Sequence, residues 1–75
     1  MKAIKTVSAM VHSVGGPIDG VEIIAENGNN KVLARYKGVY CTAIFNPFVC
    51  MYYADDMYGR LTEEQAKQYY NEIMR

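Results

Sequence analysis

The spacing of apolar residues changes once along the chain. Up to about residue 54 they alternate with polar residues or gather in short β-branched and aromatic runs broken by Gly, Asn and Pro, which predicts strands joined by tight turns. After residue 60 the spacing becomes helical. In "LTEEQAKQYYNEIMR", Ala66, Tyr69, Tyr70, Ile73 and Met74 recur at i, i+3, i+4, i+7 and i+8 and form one apolar stripe. Thr62 is placed to cap this helix, and Gln65 three residues on completes a capping box. Leu61 can staple onto Ala66, and Glu63 and Glu64 sit where the helix dipole favours negative charge.

The strands can be set in register because a slip of one residue sends every side chain to the other face. In "VEIIAENGNNKVLARY", a loop over residues 27–30 places Glu26 opposite Lys31 and Glu22 opposite Arg35. The same register gathers Val21, Ile23 and Ala25 with Val32, Ala34 and Tyr36 on one face. A two-residue turn at Lys37-Gly38 adds Val39, Cys41, Ala43 and Phe45, and a three-residue turn at Asn46-Pro47-Phe48 adds Val49, Met51 and Tyr53. A first strand near residues 3–13 offers Val7, Ala9 and Val11, with residues 15–20 as its connection. The expected architecture is a single α+β domain over residues 1–75. It is an antiparallel meander of about five strands, with one C-terminal amphipathic helix packed on the inner face, since neither surface can be buried alone.

The opposite face then carries Met10, Ile24, Leu33, Tyr40, Ile44, Cys50 and Tyr52 among polar neighbours, too apolar a set to face water alone. This predicts an interaction surface centred on Leu33, Tyr40, Ile44 and Tyr52, with Arg35 and Glu22 orienting the partner at the rim. The competing expectation is that the first strand or the segment at 55–60 folds over this face within one molecule.

Composition narrows the function. The chain has 75 residues, 51% of them hydrophobic, and eight basic residues balance eight acidic ones. So short a chain builds a thin core and often gains stability from association, so a second copy or a protein partner is expected. The first residues lack the apolar run of a secretory signal, and no apolar span is long enough for a membrane helix, which together predict a cytoplasmic protein. In the expected register Cys41 and Cys50 fall on opposite faces, which predicts two buried thiols and no disulfide. No metal or other cofactor is expected, because His12 is the sole histidine and no CxxC spacing is present.

Catalysis is not expected either. His12 is tied to no nucleophile, and Asp55-Asp56 reads as a turn ahead of the helix rather than an ion site. Pro17 removes a donor from any phosphate cradle at Gly15-Gly16. Asn46-Pro47-Phe48 matches a short docking tripeptide but is explained by turn chemistry. Single-stranded nucleic-acid binding is the second reading. It would stack bases on Tyr40 and Tyr52 beside Lys31 and Arg35, but a neutral chain with a pI near 6.5 offers little to phosphates.

Two stretches, "YKGVYCTAIFNPF" and "YYADDMYG", resemble small domains of unknown function encoded by bacterial phages and conjugative elements, including those attached to large polyvalent proteins. The resemblance spans residues 36–59 and implies an accessory protein of a bacterial mobile element, with no catalytic residues to transfer. Separately, several strands followed by one helix is similar in order to the fold of a single-stranded-DNA-binding transcriptional coactivator, an analogy of topology only.

Overall fold

The computed structural model describes residues 1–11, 15–27, 31–54 and 60–75. These form β1 (Lys5–Val11), β2 (Gly16–Glu26), β3 (Lys31–Tyr36), β4 (Val39–Asn46), β5 (Met51–Ala54), β6 (Arg60–Leu61) and α1 (Glu63–Met74). The α+β class holds, and β1 to β5 are successive antiparallel neighbours. The sheet is not an open meander, however. β1 and β5 pair in parallel through Ala9–Tyr52, Met10–Tyr53 and Val11–Ala54, which closes five strands into a barrel of mixed sense. An odd number of alternating strands leaves the first and last pointing the same way, so the closing pair has to be parallel.

Closure makes the strands tilt around the barrel axis. One row of paired residues runs through Glu26, Val32, Ala43, Ala54 and Val11, then returns to β2 at Gly16, ten residues before its start. β2 meets both ends of this spiral. The β1 pairing covers its whole first half, while β3 joins only from Glu22 onward. Two bulges bend it to fit. One lies beside Asp19 and Gly20, where Gly20 takes a φ of +84°, and the other lies at Ile24. Residues 16–20, expected as a connection, are therefore the bent start of a strand.

The β2–β3 register follows expectation at Glu22–Arg35 and Ile23–Ala34, then shifts by one at the bulge, so Glu26 faces Val32 rather than Lys31. The β3–β4 turn follows it fully: Tyr36 pairs with Val39, and Lys37 and Gly38 both adopt left-handed backbone. The β4–β5 turn does not. Asn46 pairs with Met51, which leaves a four-residue loop over 47–50. The Asn46 side chain accepts a hydrogen bond from the Phe48 N–H at 2.9 Å, and Cys50 closes the loop with a φ of +52°. The register moves by an odd number of residues, so Tyr52 and Ala54 face inward, not Met51 and Tyr53.

The barrel interior is filled by its own inward side chains, with Ala9, Ala34, Ala43 and Ala54 interleaved among Val21, Ile23, Val32 and Tyr52. The inner face needs no helix to bury it. α1 instead covers the outside, where Ala66 and Ile73 pack on Ile24, Ala25 and Leu33, with Leu61, Tyr69 and Tyr70 at the margin. This corrects the expected packing: the helix sits on the face read as free. Its capping box is formed as predicted, with Thr62 Oγ1 accepting from the Gln65 N–H at 3.1 Å and Gln65 Oε1 accepting from the Thr62 N–H at 2.9 Å. Asn27 Nδ2 donates to the Ile73 carbonyl at 3.0 Å and ties down the far end. β6 pairs with Tyr40 and Cys41, on the part of β4 that the short β5 does not reach.

Candidate binding surface

The six residues expected at an interface separate into distinct environments. Leu33 has no exposed surface and lies under α1. Tyr40 is half-buried at the edge of the same cluster, and its hydroxyl accepts from Arg35 Nη1 at 3.2 Å while the guanidinium carbon stands 5.5 Å from the ring centroid. Arg35 also grips Glu22 with two hydrogen bonds, of 3.1 and 2.8 Å, and donates to the Met1 carbonyl at 2.9 Å. That pairing holds the Glu22 carboxyl below its usual range and raises the guanidinium further. Arg35 and Glu22 thus fasten the chain start to the β2–β3 wall.

Tyr52 lies inside the barrel, its ring centroid 4.9 Å from that of Phe45. Its hydroxyl donates to Glu26 at 2.6 Å, and Lys5 meets the same carboxylate at 2.7 Å with its ammonium 5.2 Å from the tyrosine ring. Burial works to raise the Glu26 carboxyl, but the hydrogen bonds from Lys5 and Tyr52 outweigh it and hold the group below its usual value. The hydrogen bond to Glu26 raises Lys5, and burial raises the Tyr52 phenol. The rings of Tyr40 and Tyr52 therefore do not form an exposed stacking platform. Of the six residues, Ile44 stays on open surface, 56% exposed.

Around Ile44 the register builds a surface that the sequence reading did not assemble. Lys31 pairs with Ile44, Ile44 with Tyr53, Tyr53 with Met10, and Met10 with Pro17. These side chains make one outward row across five strands, with Ile44 and Tyr53 exposed and Met10 half-buried. Beside the row lies a groove of about 850 Å³, which Thr42 and Tyr69 also line, so that α1 forms one of its banks. Burial, and after it the charge of Glu72, push the Tyr69 phenol up. Just beyond the row, the β4–β5 loop presents Phe48 and Val49 to solvent, with Phe48 95% exposed.

Tyr53 was missed because the hairpin loop was read one residue too short, and Phe48 because it was read as turn chemistry alone. The available signal was Asn46 ahead of Pro47, an Asx-turn start that favours a longer loop. Cys41 is buried in the barrel as expected, whereas Cys50 is exposed in that loop rather than buried, with its sulfur 3.5 Å from the Pro47 carbonyl. His12, Asp55 and Asp56 lie outside the described residues. Among the described residues no group of three His, Cys, Asp or Glu side chains is placed to hold a metal ion, and no helix is long and apolar enough to cross a membrane.

Comparison with known proteins leaves this geometry to speak for itself: no family model, no curated protein and no solved structure matches the chain.

Proposed function

We propose that the chain is a small non-enzymatic interaction protein, and that it associates with a protein partner through the barrel wall its own helix leaves uncovered. The observation that carries this reading is the direct pairing of exposed Ile44 with exposed Tyr53, continued by Met10 on the next strand and flanked by the apolar groove. An aliphatic, aromatic and methionine centre with a polar rim of Lys31 and Thr42 has the makeup of a protein interface. The accessory role on a bacterial mobile element and the cytoplasmic location rest on the sequence reading alone. Nucleic-acid binding draws less support, because Lys5 and Arg35 are already engaged by Glu26 and Glu22, which thins the positive charge left for phosphates.

The test is covalent cross-linking in cells that make the tagged chain, comparing wild type with Ile44→Asp. The variant should lose cross-linked species while keeping a wild-type circular dichroism spectrum. An unchanged set of cross-linked species would remove this wall from the function.

A further inference from the structure

We infer that the occupant of the groove is a second copy of this chain, seated through Phe48 and Val49 at the tip of its β4–β5 hairpin, each copy inserting into the other. This rests on the reading of the uncovered wall as the working surface, and it names the partner.

Both halves of an apolar contact are present on one molecule. The projecting half is Phe48 beside Val49, 95% and 53% exposed, on a loop that is held in shape. Pro47 fixes one backbone angle, the Asn46 side chain holds the Phe48 N–H, and Cys50 turns the chain back with left-handed geometry. The backbone that carries the ring loses little further freedom on docking, which favours binding. The receiving half is the groove, whose volume falls in the range of cavities that take small apolar ligands and whose lining includes Ile44, Tyr53 and Met10.

Position decides between a closed pair and an open chain of molecules. A projecting patch and a pocket on distant surfaces generate filaments, whereas a self-complementary patch closes on itself. Here the tip and the groove share one hairpin: Ile44 and Tyr53 stand just below the loop that carries Phe48. Two such hairpins laid antiparallel about a two-fold axis bring each tip over the other's wall. A stable interface of this kind covers about 800 Å² per partner, about a sixth of the chain's 4998 Å² surface. The loop tip alone does not provide that area, so the row from Lys31 to Pro17 has to join the contact. Zero net charge sets no overall repulsion between copies.

The experiment is sedimentation velocity on the full chain from nanomolar to millimolar concentration, with reductant present so that Cys50 forms no disulfide. Wild type, Phe48→Ser and Ile44→Asp are compared, and a sample mixing isotope-labelled and unlabelled chains reports contacts between copies by NMR. The expected result is a monomer–dimer equilibrium that Phe48→Ser and Ile44→Asp each weaken by about thirtyfold or more, as removal of a buried aromatic or aliphatic anchor does. Cross-copy contacts from the Phe48 ring to the Ile44 and Met10 methyls should appear in the wild type. A chain that stays monomeric throughout overturns the inference, while the reading of the wall then answers to its own cross-linking test. A dimer lost in Ile44→Asp but kept in Phe48→Ser overturns the exchange and leaves the wall as interface. A dimer kept in both overturns the exchange and excludes the wall from self-association.

Discussion

Leu33 and Ile44 point outward from neighbouring strands of one barrel, yet the first has no exposed surface and the second keeps more than half of its own. The difference is one helix wide. α1 is a cylinder about 10 Å across, and strands lie about 4.8 Å apart, so it covers two or three of them and no more. It lies over β2, β3 and the edge of β4 and does not reach the wall formed by β5, β1 and the far end of β4; the segment at 55–60, which the competing expectation folds over this face, lies, but for Arg60, outside the described residues. An apolar outer face is thus two surfaces with different roles. One completes the monomer, and the other keeps Ile44 and Tyr53 exposed.

That contrast can be broken most forcefully from the covered side. Leu33→Ala should cost about 2 to 5 kcal/mol in chemical denaturation, because it opens a cavity between barrel and helix. A loss of only a few tenths would mean that α1 does not seal this wall. A smaller effect, about 1 kcal/mol, is expected for Thr62→Ala, which removes the side-chain half of the capping box while touching neither wall directly. Amide exchange should then rise along α1 and leave β1 and β5 unchanged.

Smaller again is the pH response of the two carboxylate pairings, Glu26 with Lys5 and Tyr52, and Glu22 with Arg35. Glu26 and Glu22 are held below the usual carboxyl value of 4.5. Their contribution to stability is present above that value and is lost as pH falls through the lower folded one. Lys5 and the Tyr52 phenol are raised above 10.5 and 10.0, so their contribution is present below those values and is lost as pH climbs through the higher folded ones. Glu26→Gln should flatten part of the acid limb of a denaturation series, and Lys5→Met part of the alkaline limb. Both effects are modest because the groups remain partly in water. An acid limb unchanged in Glu26→Gln would show that the carboxylate is not held by its two partners. The smallest effect belongs to the bare wall. Ile44→Ala should alter monomer stability by no more than about 0.5 kcal/mol, and a cost equal to that of Leu33→Ala would show the groove to be filled by the chain itself.

Local features of this fold were legible in the sequence. The capping box, the Lys37-Gly38 turn and the pairing of Glu22 with Arg35 each rest on a few adjacent residues whose chemistry admits one arrangement. Much of the inward set through β4 was legible too, because alternation fixes it wherever the register is fixed; Ala25, expected inside, lies past the bulge at Ile24 and faces the helix instead. What escaped was decided at a distance. Whether a five-stranded meander stays flat or rolls up depends on β1 meeting β5, and no local pattern records that encounter. The clue was size: Ala9, Ala34, Ala43 and Ala54 on the inner face are too small to reach a helix across a gap, but they suit a tight barrel. Once the barrel fills itself, α1 has to take the other face, and Leu33 and Tyr40 pass from expected interface to interior margin. Tyr52 escaped for a different reason, since one misjudged loop length inverted the strand that carries it.

The seam between β1 and β5 also has a consequence in time. Its partners are 43 residues apart, as Ala9 is from Tyr52, so a nascent chain leaving the ribosome carries four strands before the fifth can arrive. Through that interval the edge of β1 that will meet β5 is unpaired and open to neighbouring polypeptides. The strand that seals this edge is thus the last of the five barrel strands to emerge.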